Sequence, residues 1–223
     1  MVASKPALRQ SMIKQWYYCK AAYYASYILG VPLGLGEIAL DYGTAFHKEV
    51  ENYHNGQPYD KELLAGYTAV VPIKAQVEVS FEFRPRYKGD EFPVLLTGTI
   101  DRISDIELSD FKTSSVSYSQ AKVDAPLGIQ SSWGFDGTGL QATMYLYYWW
   151  HTTGKLLPFS FIVYRKDKPN WEPARRIQIV TTTRTLEDFD NFWLFAFKTW
   201  EDIQLERDFK CSCKNKEHLI WEP

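Results

Sequence analysis

The segment QVEVSFEF, residues 76–83, alternates apolar and polar side chains without a slip. A period of two puts Val77, Val79, Phe81 and Phe83 on one face and Glu78, Ser80 and Glu82 on the other, the signature of a half-buried β-strand. Such a strand needs a sheet beside it and a layer covering its apolar face. PVLLTGTIDRI and IELSDFKTS supply two more strands, and the short turn around Ser104 and Asp105 pairs them as a hairpin. Ahead of them, SMIKQWYYCKAAYYASYIL sets Met12, Trp16, Cys19, Tyr23 and Tyr27 at helical spacing. A second helix is expected from about Tyr42 to Tyr53, with Asp41 near its start and Asn55-Gly56 as its stop, and a short one between Pro58 and Tyr67. Residues 114–138, rich in Ser, Gly and Asp, predict a long loop, a length that is more often functional than not. LQATMYLYYWWH resumes a helix, PFSFIVYRK and ARRIQIV are two more strands, and LEDFDNFWLFAFKTWEDIQLE is an amphipathic helix. This order argues α/β with a central mixed sheet, in one domain over residues 1–223 that has an N-terminal helical region and a short C-terminal tail.

Lysine plus arginine (25) nearly balances aspartate plus glutamate (27), and the net charge of −2 excludes a polybasic coat. A polyanion would have to be met by a local basic patch or by metal ions. Three cysteines are too few and too odd for a disulfide framework, which points to a reducing compartment. The first sixteen residues lack the apolar run of a signal peptide, and the longest apolar stretches are strand-sized, so a soluble, cytoplasmic protein is expected.

The most informative residues are Gly98-Thr99-Ile100-Asp101 and Ser109-Asp110-Phe111-Lys112-Thr113. On a strand, Asp110 and Lys112 project from one face and Phe111 from the other, into the core. Asp101 lies across the hairpin, so two carboxylates and an ammonium are expected at one spot. That trio suits metal-assisted phosphodiester hydrolysis. Two hard carboxylates hold Mg²⁺ or Mn²⁺, and the lysine orients or deprotonates a water or neutralises charge developing on the phosphate. Taken alone, Asp-x-Lys is equally the pattern of a salt bridge on a solvated strand.

The motifs nevertheless form an ordered set: GTAFH (Gly43 to His47) on a helix, GTID (Gly98 to Asp101) and DFK (Asp110 to Lys112) on strands, QATMY (Gln141 to Tyr145) on a helix. In that order, over about residues 11 to 165, the chain resembles the RecB-like branch of the PD-(D/E)xK nuclease superfamily, which includes CRISPR-associated and phage exonucleases. The resemblance implies a restriction-endonuclease-like core, a divalent metal and a DNA substrate. Carried over residue by residue, it makes His47, Asp101 and Asp110 metal ligands, with the Phe111 carbonyl as a further oxygen, and Lys112 the catalytic lysine. Glu78 matches a strand glutamate of the branch and is a candidate ligand or supporting group. Gln141 and Tyr145, one helical turn apart, would contact DNA or the water network, and Glu51, four residues after His47, would orient its imidazole. His54, His151 and His218 have no partner at ligand spacing.

Members of this branch also hold an iron–sulfur cluster between an N-terminal cysteine and a C-terminal group. Cys19, Cys211 and Cys213 sit at comparable places, but three thiolates do not make a four-thiolate cluster, and the cluster is left out; zinc completed by His218 and plain packing of Cys19 remain open. Candidate DNA contacts are Lys14 and Lys20, Arg84, Arg86 and Lys88, Arg165, Lys166 and Lys168, and Arg175-Arg176, with Tyr87, Trp133 and Trp171 for stacking. The expected function is a divalent-metal-dependent deoxyribonuclease, an exonuclease of linear DNA in repair, recombination or processing, with a phage origin (and then the host cytoplasm) and a recombination or replication protein partner among the expectations. A catalytically inactive DNA-binding or assembly module of the same fold, and a structure-specific endonuclease, are the alternatives.

Overall fold

The computed structural model describes residues 7–31, 37–131, 134–166, 171–206 and 208. The chain runs β1 (Ala7–Arg9), α1 (Gln10–Tyr18), α2 (Lys20–Tyr23), a π-helical turn (Tyr24–Ile28), α3 (Glu37–His54), α4 (Ala65–Thr68) and β2 (Gln76–Phe83). Then come a small hairpin of β3 (Arg86–Tyr87) and β4 (Asp90–Glu91), β5 (Leu95–Ile103), β6 (Leu108–Ser114), α5 (Gln120–Asp124), and a second hairpin of β7 (Ile129–Ser131) and β8 (Gly134–Asp136). The chain closes with α6 (Thr138–Thr153), β9 (Phe159–Arg165), a 3-10 turn (Pro173–Arg176), β10 (Ile177–Thr182) and α7 (Leu186–Leu205). Six strands make the expected central mixed sheet. It is ordered β1-β5-β6-β9-β10 with β2 also on β5, and β1/β5 and β6/β9 are parallel pairs.

Helices cover both faces. On one, Phe81, Leu96, Leu108, Phe159, Phe161 and Val180 pack against α1, α6 and α7 through Trp16, Leu140, Met144, Phe189 and Phe192. On the other, Phe111, Ile162 and Tyr164 meet Phe46, Val50 and Tyr67 from the α3–α4 region. Burial of each such side chain stabilises by roughly 1.5–3 kcal/mol. β9 is buried along all but its last residue, as a strand covered on both faces must be.

Four expectations change. The first helix is broken at Cys19, whose extended backbone (φ −163°, ψ 113°) separates α1 from α2. Trp16 before the break, and Cys19, Ala22 and Tyr23 at and after it, are all buried. The second helix starts five residues earlier than expected, and of the Pro58–Tyr67 stretch only the end is helical, as the beginning of α4. Residues 114–138 are no plain loop, because α5 and the β7–β8 hairpin fold within them. The buried Arg184 guanidinium anchors α5, donating to Val123 O (2.7 Å), Gly139 O (3.1 Å) and Thr143 Oγ1 (2.7 Å) as well as to Thr182 Oγ1 and Thr183 O. No local sequence pattern announces that long-range tie.

The α5–α6 contact depends on a missing side chain. A Cβ at Gly139 would stand 1.9 Å from Ala125 O, backbone that has nowhere to move. Gly139→Ala is therefore expected to cost at least about 2 kcal/mol of stability, read from urea unfolding midpoints; an unchanged midpoint would mean that α5 is not packed in this way.

Candidate metal centre

Strand β5 shares its edge. β2 pairs it on one side over nearly its whole length, so β1 (at 95–97) and β6 (at 102–103) must both use the other. Among the described residues, 98–101 have no strand partner on that edge, and the sheet has a notch there. The β5–β6 register, extended by one residue, sets Asp101 opposite Asp110, yet the strands have already parted. Instead of a backbone carbonyl, Asp101 Oδ2 accepts the Phe111 N–H at 2.7 Å.

The partner strand is distorted at the same level. Glu78 lies directly across from Asp101 but is not paired with it, and its φ of +52° is in the left-handed region that residues with a Cβ avoid. β5 is wrung to match: Ile100 and Ile103 both belong to the main core, although strict alternation would put them on opposite faces. Strain of this kind persists where the surroundings enforce it, and it clusters at functional sites. Its effect is to bring Glu78 and Asp101 toward α3, where His47 waits.

His47 Nδ1 is 3.8 Å from Asp101 Oδ2 and 3.9 Å from Glu78 Oε1, and one ligand atom from each of the three residues falls within 4.8 Å of the others. His47 Nε2 is 2.9 Å from the Phe111 carbonyl. With the proton on Nε2, the ring donates to that carbonyl and turns the Nδ1 lone pair toward the acids, as a metal-binding histidine is usually held. Glu51 does not orient this ring: its carboxylate is paired instead with Lys48, one turn back on α3, at 2.9 Å.

Asp110 and Lys112 project together from the other face of β6, with Phe111 buried between them on the α3 side. Asp110 is almost fully buried. Its Oδ1 accepts from Gln141 Nε2 at 2.6 Å, and its Oδ2 forms a salt bridge with Lys112 Nζ at 2.5 Å. Gln141 Nε2 also reaches Tyr145 Oη at 3.2 Å, so the helical pair stands beside the strand pair. Asp110 lies outside the three-residue cluster, being held by Lys112 and Gln141, while Glu78 is inside it.

The electrostatics follow from this crowding. Burial, and then repulsion from Asp110, raise the Asp101 carboxyl well above the usual carboxylate range, against the pull of Lys112 and the Phe111 N–H. Burial would push the Lys112 ammonium down, but Asp110 and Asp101 outweigh it and hold the pKa above the ordinary lysine value. Lys112 is thus a fixed cation. A buried carboxylate crowded by other acids, beside an imidazole nitrogen and an exposed glutamate, is a donor set that fits a hard divalent cation.

Lys14 and Tyr118 lie near the centre, where the sequence did not place them. Lys14, although expected among the basic residues, lies close enough to Lys112, Lys122 and Asp136 to feel their charges, and burial lowers its pKa. Tyr118 is near Lys112 and Asp110, and its hydroxyl pKa is raised mainly by burial. Lys20 is paired with Glu206 and lies over Trp16, Arg84 and Arg86 share Glu91, and Tyr87 is stacked on Trp193, so these candidates for DNA contact are engaged within the protein. His54 ties Ile73 O to Tyr67 Oη, and His151 packs on Phe83. Cys19 is buried; Cys211, Cys213, His218, Trp133 and Lys168 lie outside the described residues.

Because the raised Asp101 pKa is a penalty on its charged form, stability from this group is full below about pH 3.8 and is lost as pH rises through the folded value. Asp101→Asn keeps an acceptor for the Phe111 N–H and removes the charge. The variant should melt higher than the parent at pH 7 without divalent metal, and should gain less on adding Mn²⁺. Differential scanning calorimetry in EDTA and in Mn²⁺ reads both; a lower melting temperature in EDTA would contradict the electrostatic account.

No family model matches the chain, and neither does any curated protein. No helix among the described residues is long and apolar enough to cross a membrane. Among solved structures the chain is similar to the "Putative exonuclease" from Eubacterium rectale, with a TM-score of 0.54 and 12% identity, over 89% of this chain and 80% of that one. It is also similar to the protein solved as SSO0001, with a TM-score of 0.46 and 15% identity, over 97% of this chain and 82% of that one. At such identities the likeness is one of fold: a mixed α/β architecture shared with a structure bearing that exonuclease name, and in this chain a histidine, a glutamate and an aspartate gathered at the notch.

Proposed function

We propose that the protein is a divalent-metal-dependent deoxyribonuclease of the RecB-like PD-(D/E)xK branch, which hydrolyses phosphodiester bonds of linear DNA from its ends during repair, recombination or DNA processing. The observation that carries this reading is the meeting of His47, Glu78 and Asp101 within 4.8 Å beside the Asp110–Lys112 pair. The exonuclease name of a structural neighbour agrees with it.

His47, Glu78 and Asp101 would hold Mg²⁺ or Mn²⁺, joined by Asp110 and by the Phe111 carbonyl. A cation held there would supply polarisation of a phosphoryl oxygen and a more acidic coordinated water. The chain's own groups do the rest. Lys112, kept protonated by its two acids, faces the phosphate as an ammonium and offsets the charge that develops on it, a role that suits its raised pKa better than that of a base. Asp110 fixes the direction of that ammonium, and Gln141, donating to Oδ1, fixes Asp110. Tyr145, next in the chain of contacts, carries the network toward the substrate side.

End-labelled linear DNA, single- and double-stranded, with covalently closed circles as control, tests this in Mg²⁺, Mn²⁺ or EDTA. Linear DNA should be shortened from its ends only with metal, circles should survive, and Asp110→Ala or Lys112→Ala should reduce the rate by about 10²-fold or more. Cleavage indifferent to both substitutions would overturn the assignment. Cut circles would indicate an endonuclease, and tight binding without cleavage an inactive module.

A further inference from the structure

The notch in β5 continues away from the acids into a groove of about 860 Å³. One wall is the β1–α1 junction, with Arg9 and Ser11; the other is a row of polar side chains on β5 and β2, namely Thr97, Thr99, Ser80 and Glu82. Thr99 and Ser80 are two residues along their strands from Asp101 and Glu78, a step of about 6.6 Å. The groove is thus continuous with the candidate metal centre, yet it uses none of that centre's ligands. Gly98 lines it too, and a Cβ there would strike the Phe81 ring at 2.8 Å, so the groove's aromatic floor closes only over a glycine.

The groups facing this space are unspent. Arg9 is exposed and forms no ion pair among the described residues. Thr97 lines the wall, although its Oγ1 is itself buried and has no hydrogen-bond partner among the described residues. The Ser80 and Thr99 hydroxyls are 3.2 Å apart, and a pair that spends one proton between them keeps another to donate. Glu82 is an exposed acceptor. Gln10, by contrast, is committed to Gly137 O at 3.1 Å.

A cation, open hydroxyls and a carboxylate, set in one concavity, match the three polar parts of a nucleotide. The guanidinium pairs with a phosphate, the hydroxyls serve sugar or base acceptors, and the carboxylate takes an amino group of a base. In a duplex the Watson–Crick edges are already paired and the bases stacked; only an unpaired base can turn such an edge into a pocket. The volume is in the range of small-ligand sites, about 300–1,000 Å³, which takes a short piece of one strand.

We propose that this groove is a subsite for unpaired nucleotides of a single polynucleotide strand, with Arg9 on a phosphate and Ser80, Thr99 and Glu82 on the polar edges, adjoining the phosphate held at the metal centre. The inference rests on the nuclease reading for the last clause only. Fluorescence anisotropy with labelled single-stranded and duplex oligonucleotides of equal length, with Ca²⁺ as the only divalent ion, tests it without needing cleavage. The wild-type protein should bind the single strand more tightly than the duplex. Arg9→Ala should weaken single-strand binding about ten-fold and flatten its dependence on log salt by about 0.7, the value of one phosphate contact. Ser11→Trp, at an exposed position, should obstruct the groove and weaken it comparably, with melting temperature unchanged. Duplex bound as tightly as single strand, or single-strand affinity and salt slope untouched in both variants, would overturn the proposal. A protein that binds in this way but cuts nothing would overturn the nuclease assignment and leave the groove standing.

Discussion

The Phe111 N–H donating to the Asp101 carboxylate is the contact on which the rest of the site depends. It occupies the place of the next rung in the β5–β6 ladder, and by accepting from backbone with a side chain it lets the two strands separate while leaving no buried donor unpaired. The separation is what creates room. β1 takes up the edge again a few residues back, so the opening is a notch bounded on both sides by sheet rather than a frayed end.

Acidic residues accumulate around that opening at a cost. Asp101 is buried next to Asp110, Glu78 is held in a left-handed backbone, and one cation, Lys112, does not neutralise all three. Proteins keep such arrangements where a bound positive charge or a reaction repays them. The rigid parts lie behind: α6 is pinned by Arg184 and by close approach at Gly139, which keeps Gln141 in reach of Asp110, and α3 is seated on Phe111 and Ile162, which keeps His47 over the notch. The flanking groove lies beside the same opening along β5, where Thr97, Thr99 and Ser80 follow the acids and Glu82 is the one carboxylate of the lining.

Much of this was legible in the residues. Alternation in QVEVSFEF, the Ser104–Asp105 turn and the apolar run of PFSFIVYRK each define a strand locally, because side-chain period and turn chemistry are local properties. The i, i+2 relation of Asp110 and Lys112, with Phe111 turned to the core, needed nothing beyond strand geometry. Where the tertiary fold departed from local pattern, the pattern failed: Cys19 lies in a continuous helical periodicity, yet its backbone is extended and the helix stops there. Residues 114–138 looked structureless because the ties that order them, from Arg184 and Gln178, come from far along the chain.

The amino-acid sequence by itself determined which residues share a strand face or a helix turn, and therefore the mixed α/β class and the Asp110–Lys112 and Gln141–Tyr145 pairs, since these follow from backbone period alone. Only the tertiary structure decided that Glu78 joins His47 and Asp101, that Glu51 turns to Lys48, and that Arg9 and Thr97 face one groove. Those outcomes depend on register between strands distant in sequence, on a distortion shared by two of them and on where α1 and α3 come to rest, none of which is written in any one segment.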